Sequence, residues 1–196
     1  MPKKYPLTEL EKKAWAFAEE AHKGVSRKFS NVPYFEHVRK VFKLVKKVDT
    51  RETLGAAALL HDTLEDCPQV TYEILVENFG KEVADIVKEL TSKEDLIDVM
   101  GKAEYLLDKM ATMSDDALTV KLCDRLQNLS DHFSASDKFR KKYYEETKYI
   151  VDSLKVNRQL NKSQITVINL ISGLLDMMNR RYIQTFEGFK TSLWRS

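Results

Sequence analysis

Residues 53–60, Thr53-Leu54-Gly55-Ala56-Ala57-Ala58-Leu59-Leu60, leave a folded chain few options. The run favours helix, and it is apolar almost all round, so a helix built from it has no face to offer to water. Other elements must enclose it. Its small residues, Gly55, Ala56, Ala57 and Ala58, let a neighbouring helix approach closely. Directly behind the run come His61-Asp62-Thr63-Leu64-Glu65-Asp66, and Pro68 then stops the helix. Glu65 is four residues after His61, and Asp66 is four after Asp62. If the helix continues, all four side chains project from one broad face. Charged groups at the end of a buried helix need partners, and a metal ion is the economical one.

The rest of the chain reads as the enclosure. Almost nothing alternates as a strand would, and six glycines and four prolines in 196 residues leave room for helices with short connections. Apolar residues make up 43% of the chain, enough for a real core. Thr8 and Glu11 form a capping-box pattern before the stripe Leu10, Ala14, Phe17, Ala18 and Ala21, and Gly24 ends that helix. Pro33 begins the next, with Tyr34, Val38, Val41, Phe42 and Val45 on its apolar side. Thr50 is the expected cap of the helix holding residues 53–60. Further helices are expected from Thr71 to Phe79, from Lys81 to Leu90, and from Leu96 to Met113. Another follows Ser114 and carries Leu118, Leu122, Leu126 and Leu129, and a long one runs from Asp137 to Leu154. Thr91 to Asp95 reads as a turn and a candidate pocket rim. The expectation is an all-α bundle of eight to ten helices. A polar stretch, Lys155 to Ser163, divides residues 1–154 from a C-terminal helical segment, 155–196, made of the apolar helix Ile165 to Met178 and an aromatic tail.

His61 and Asp62 alone cannot complete a metal coordination sphere. The best-placed distant donors are His37, beside the apolar face of its helix, and Asp124, set between Leu122 and Leu126 where an unmatched charge is costly. Local sequence leaves a core histidine as the alternative for His37. Imidazole and carboxylate together suit manganese or iron, and thiolate chemistry is not indicated. Such an ion would leave positions for water and a substrate phosphate, with Glu65 and Asp66 free to orient the water or take its proton. The plainer reading of that acidic pair is a solvated helix end, although the helix dipole disfavours anions there. Arg27 and Lys28 lie on a loop, where two cations are ordinarily solvated, but Arg27 can offer a bidentate fork to a phosphate or carboxylate. His22 reads as a helix-end histidine or as a support for the site. Cys67 and Cys123 form no disulfide framework and read as small packing residues. A net charge of +2 does not argue for a nucleic-acid surface. No apolar run has the length of a membrane span, and the polar start is no signal peptide, so a cytoplasmic protein is expected.

These residues resemble a known family, the HD-type phosphohydrolases, and within it the alarmone hydrolase domain of the RelA/SpoT homologues and its stand-alone small forms. The resemblance runs over about residues 8–154. It is carried by His22-Lys23-Gly24 with Arg27-Lys28, by Pro33-Tyr34-Phe35-Glu36-His37, and by Ala56 through Asp66. It continues in Asn78-Phe79-Gly80-Lys81-Glu82-Val83, in Glu89-Leu90-Thr91-Ser92-Lys93, and in Val120-Lys121-Leu122-Cys123-Asp124-Arg125-Leu126-Gln127-Asn128-Leu129, with Glu146-Thr147 behind it. A bare His-Asp dipeptide is weak; the ordered set is specific.

The resemblance implies an HD-domain helical bundle that removes pyrophosphate from the 3′ position of ppGpp and pppGpp, with ppApp as an adenine relative, using Mn²⁺. It implies His37, His61, Asp62 and Asp124 as metal ligands, Glu65 and Asp66 as the pair that handles the water, Arg27 beside them, and Lys28 and Asn128 as substrate-binding residues. Ser30, Val38, Cys67 and Cys123 depart from the family's usual glycine, proline, threonine and alanine, and none of them replaces an implied ligand. The competing readings are an HD-type phosphatase for NADPH, a nucleoside monophosphate or another nucleotide, and an inactive alarmone-binding regulator. The expected partner is a small nucleotide, with neither nucleic acid nor membrane involved. The segment 155–196 would cap the core, join a homodimer or shape the pocket.

Overall fold

The computed structural model describes residues 6–28, 30–131 and 135–193, with only the backbone described for 94 and 181–193. Eleven helices are present among them: α1 (Glu9–Ala21), α2 (Phe35–Val48), α3 (Glu52–Leu60), α4 (Thr63–Asp66), α5 (Tyr72–Phe79), α6 (Lys81–Leu90), α7 (Glu94–Met100), α8 (Lys102–Thr112), α9 (Asp115–Asp131), α10 (Asp137–Asn157) and α11 (Lys162–Leu193). The described residues contain no strand beyond a single bridge, Ser26 to Pro33, that pins the α1–α2 loop. None of their helices is long and apolar enough to cross a membrane.

The all-apolar helix is central. Every residue of α3 from Leu54 to Leu60 is buried, and α1, α2 and α6 pack around it. Close approach occurs where the small residues stand: a Cβ at Gly55 would lie 3.2 Å from Phe42 Cε2 and 3.1 Å from Glu11 Cδ, and would collide with Glu11 Oε1. Glu11 itself is fixed twice. It completes the capping box with Thr8 at the start of α1, and its Oε1 pairs with Lys46 Nζ at 2.7 Å, both side chains being buried.

A second helix is enclosed on all but its cleft side and its ends. The Leu118–Leu122–Leu126–Leu129 stripe suggests an amphipathic α9, yet Ala117 to Val120, Leu122 to Gln127 and Leu129 are all buried. The additional cover comes from α11, whose Val167, Ile168, Ile171, Leu175 and Met178 are buried, and from α2, α6 and α10.

Several expected boundaries move for local reasons. α3 stops at Leu60, and His61 and Asp62 form a turn before the one-turn α4, so the motif is not one continuous helical face. The expected helix over 96–113 is two helices. Gly101 adopts φ 82°, a left-handed conformation that glycine tolerates, and ends α7 as α8 begins. Thr50 is not the cap of α3. Arg51 occupies that position without a side-chain cap, and Asp49 Oδ1 accepts the Arg51 N–H at 2.9 Å. The polar stretch after 154 begins and ends as helix, since α10 continues to Asn157 and α11 starts at Lys162.

The short break after α10 is anchored to the body. Arg158 donates to Met110 O, Ala111 O and Met113 O at 2.8, 2.9 and 2.6 Å, capping the carboxyl end of α8. Gln164, fully buried, donates to Asp115 O at 3.0 Å, and Ser163 Oγ donates to Val48 O at 2.8 Å. α11 then runs unbroken past Met178 to Leu193. The side chains of Tyr182, Phe186 and Phe189, and Trp194 as a whole, lie outside the described residues.

Candidate active site

Three central elements meet at one wall of a cleft of about 550 Å³. The first turn of α2 supplies His37, the turn after α3 supplies His61 and Asp62, and the middle of α9 supplies Asp124. His61 Nε2 lies 3.3 Å from His37 Nε2 and 2.9 Å from Asp62 Oδ2. Asp124 Oδ1 approaches His37 Nε2 at 3.2 Å and His61 Nε2 at 3.8 Å. His37, His61 and Asp62 form a compact set of candidate metal-ligating atoms, and Asp124 adjoins it from the α9 side.

The orientation of the imidazoles argues for a cation at their meeting point. His61 Nδ1 faces the carbonyl of Ala58 at 2.8 Å. A carbonyl can only accept, so the Nδ1 proton is directed there. His37 Nδ1 is held likewise by Gln127 Oε1 at 2.7 Å. Both Nε2 lone pairs are thereby turned towards each other and towards two carboxylates, the second-neighbour bonding that orients histidine ligands. A divalent ion fits this donor set. Without one, a proton takes its part. Burial lowers the pKa of His37, but hydrogen bonds to Asp124 and Asp62 outweigh it and raise the value to about 9. Burial would raise both aspartates; the neighbouring imidazoles hold Asp62 well below its ordinary value, and Lys121 with the imidazoles does the same for Asp124.

Each ligand carries a further brace. Tyr34 stands three residues before His37 and donates its hydroxyl to Asp62 Oδ2 at 2.7 Å. Lys121, one helical turn before Asp124, donates to Asp124 Oδ2 at 3.0 Å. Asn128, one turn after, donates to Asp124 Oδ1 at 2.6 Å, and Arg27 Nη2 donates to Asn128 Oδ1 at 2.6 Å. Arg27 thus reaches the α9 ligand through Asn128, with its guanidinium 5.4 Å from the Tyr34 ring. Below this row, buried Arg125 donates to Thr147 Oγ1 and Glu146 Oε1, both at 2.8 Å, and ties α9 to α10.

Glu65 and Asp66 are exposed on the cleft wall beside Asp62. They are not equivalent. Glu65 Oε2 accepts the backbone N–H of Ser92 at 2.7 Å. Burial and the charge of Asp62 raise the pKa of Asp66, which makes its protonated form more accessible than an ordinary carboxyl's. Lys28 lines the same cleft, and Lys40, Lys102 and Lys121 add to its positive charge. Its volume falls within the roughly 300–1,000 Å³ usual for small-ligand sites.

The fold therefore brings together all nine candidate residues from five separate segments. The motif reading passed over Tyr34, Lys121 and Gln127. Their signal was available in part: each stands three residues from an implied ligand on the same helical face. His22 is buried against the ring of Tyr34, centroids 4.8 Å apart, with Nδ1 3.5 Å from Cys67 Sγ. It supports the Tyr34 ring from behind. Cys67 and Cys123 are both buried, and burial raises both thiols, in keeping with packing.

Known proteins resemble this chain in sequence and fold. An HD domain model matches residues 14–161. A guanosine-3′,5′-bis(diphosphate) 3′-pyrophosphohydrolase of Aquifex aeolicus is 35% identical over 145 residues, 69% of this chain and 19% of that protein. The GTP pyrophosphokinase rsh of Brucella ovis is 37% identical over 123 residues, 60% of this chain and 16% of that protein. The chain thus spans about a fifth of the length of the curated relatives it matches. A solved structure described as a metazoan orthologue of SpoT that hydrolyses ppGpp superposes with a TM-score of 0.72 at 25% identity, covering 86% of this chain and 97% of that one. With the domain model matched over most of its length, the chain belongs to the HD domain family.

Proposed function

We propose that this protein is a Mn²⁺-dependent hydrolase that removes pyrophosphate from the 3′ position of ppGpp and pppGpp, with ppApp as an adenine relative, giving GDP or GTP (or the adenine equivalent) and pyrophosphate in the cytoplasm. The observation that carries the reading is the convergence of His37, His61, Asp62 and Asp124 at one wall of a cleft that also presents Arg27, Lys28, Lys40, Lys102 and Lys121. A highly anionic nucleotide suits those cations, and the substrate named for the Aquifex aeolicus relative is of that kind.

His37, His61, Asp62 and Asp124 would hold the ion, which when bound offsets phosphoryl charge and acidifies water. The protein's own groups do the rest. Hydrolysis adds water across the bond between the ribose 3′ oxygen and the pyrophosphate. One water proton must leave, and the ribose oxygen must gain one. Glu65, held by the Ser92 amide, is oriented to accept the first. Asp66, with its raised pKa, is suited to carry a proton towards the second. Arg27 and Lys28 neutralise phosphate charge, and Asn128 keeps Arg27 in register with the α9 ligand.

The test is a substrate panel with Mn²⁺, measuring pyrophosphate and orthophosphate released from ppGpp, ppApp, NADPH and mononucleotides. Pyrophosphate with GDP from ppGpp is expected. Orthophosphate from NADPH or a mononucleotide, with ppGpp untouched, would reassign the substrate. Binding of ppGpp without turnover would make the protein a regulator.

A further inference from the structure

The loop between α6 and α7, Thr91 to Lys93, is a thin wall between two clefts. Ser92 lines the cleft of the metal-ligand cluster, while Thr91 and Lys93 line a second cleft of about 530 Å³ on the other side. A wall with space on both sides has little packing to fix it, and its position depends on hydrogen bonds. Thr91 is bonded back to Val87 O of α6 through its N–H at 3.1 Å and its hydroxyl at 3.0 Å, and the bonds that hold the loop from behind come from one face of α8. Lys109 Nζ donates to Leu90 O at 3.1 Å and also to Thr91 O. Tyr105, one helical turn earlier and buried, accepts the Lys93 N–H at 2.8 Å. Between these two anchors the Ser92 N–H is presented to Glu65 Oε2 at 2.7 Å. Burial lowers the Lys109 amine to about 8, so at neutral pH it remains largely the ammonium that this clamp needs.

We propose that Lys109 and Tyr105 are positioning residues that set the orientation of Glu65 through the amide of Ser92, although neither borders the cleft in which Glu65 works. The proposal rests on the reading of Glu65 as the group that takes the water's proton. α8 thereby acts as a rear support. It holds the loop, the loop holds one carboxylate oxygen, and the other oxygen stays free for the water. Displacement of a reacting group by about 1 Å can cost two orders of magnitude in rate, so a flexible 91–93 loop would be felt in turnover before it was felt in affinity.

The experiment combines kinetics with hydrogen exchange on the full chain. Lys109→Met should lower kcat for ppGpp about tenfold with KM within about twofold, because only the reacting geometry is disturbed. Lys109→Arg, which keeps a cationic donor, should recover most of the loss. In a Glu65→Gln background, Lys109→Met should change the residual rate by less than about twofold, since the group it positions is already disabled. Equal losses in both backgrounds would overturn the proposal, as would wild-type kcat in Lys109→Met. Amide exchange across 90–94 is read in the same proteins without any substrate and should be about fivefold faster or more in Lys109→Met. Unchanged exchange would overturn the clamp on its own. If the wild-type protein leaves ppGpp intact, the substrate reading fails, and the exchange result still decides the clamp.

Discussion

Substituting Gly55 with alanine sets two effects of opposite sign against each other. Alanine in a helix interior is ordinarily favoured over glycine by about 1 kcal/mol. At Gly55 the added methyl would collide with Glu11 Oε1 and press on Glu11 Cδ and Phe42 Cε2 at 3.1 and 3.2 Å. Glu11 cannot swing aside cheaply. Its other oxygen accepts the Thr8 N–H at 3.0 Å, and Oε1 pairs with Lys46 Nζ at 2.7 Å. Lys46 also donates to Thr50 O at 2.6 Å, so moving the carboxylate strands a buried ammonium. Breaking a buried pair typically costs about 3–5 kcal/mol. Less the propensity gain, Gly55→Ala should destabilise by about 2–4 kcal/mol, or roughly 5–15 °C in melting temperature for a chain of this size. Gly173 is the internal control. It lies in α11 with nothing within 4 Å of an added Cβ, so Gly173→Ala should stabilise by about 0.5–1 kcal/mol. Thermal melts of the two variants beside the wild type decide the matter. A Gly55→Ala protein that melts at or above wild type would refute the claim that Glu11 is immovable.

Three further outcomes follow from the site. Asp62→Asn should abolish Mn²⁺ binding in calorimetry and ppGpp hydrolysis while the circular dichroism spectrum stays helical; full hydrolysis by the metal-loaded variant would remove Asp62 from the site. Arg125→Met should destabilise by about 3 kcal/mol or more, because it leaves Glu146 buried without its partner; chemical denaturation with an unchanged midpoint would contradict that. The metal-free protein should lose stability as pH rises from 6.5 through about 9. His37 holds its proton more tightly folded than unfolded, so its contribution is complete below 6.5 and gone above about 9. Asp62 and Asp124 are depressed, so theirs is present above the ordinary carboxylate value and is lost in acid. Melts across pH 5–10, in a chelator or alternatively in saturating Mn²⁺, test this, and the metal should flatten the alkaline slope; an alkaline loss unaffected by metal would place its cause elsewhere.

The central helix was legible because an all-apolar run admits one kind of environment, and the motif after it because four chemical groups crowd into six residues. Asp124 was legible for a related reason: a carboxylate inside a leucine stripe demands a match. Other features depend on contacts that no local pattern encodes. The burial of α9 on its remaining faces is a property of α11, α2 and α6, which are distant in sequence. The Lys109 clamp on the 91–93 loop needs the chain to reverse at Gly101, and the leucine and methionine spacing across 96–113 conceals that reversal. The Ala58 carbonyl that fixes the His61 tautomer is a backbone atom and leaves no trace in side-chain composition.

The anchoring of Arg158, Ser163 and Gln164 also ties the start of the C-terminal helix to three separate parts of the body. Arg158 caps the carboxyl end of α8, and α11, with Val167, Ile168 and Ile171 buried, covers the back of the helix bearing Asp124. Each of these contacts closes a long loop, and the buried apolar face of α11 offsets the entropic cost of that closure. The helix that carries the fourth donor is thus braced from behind by the C-terminal helix, a segment far from the chemistry.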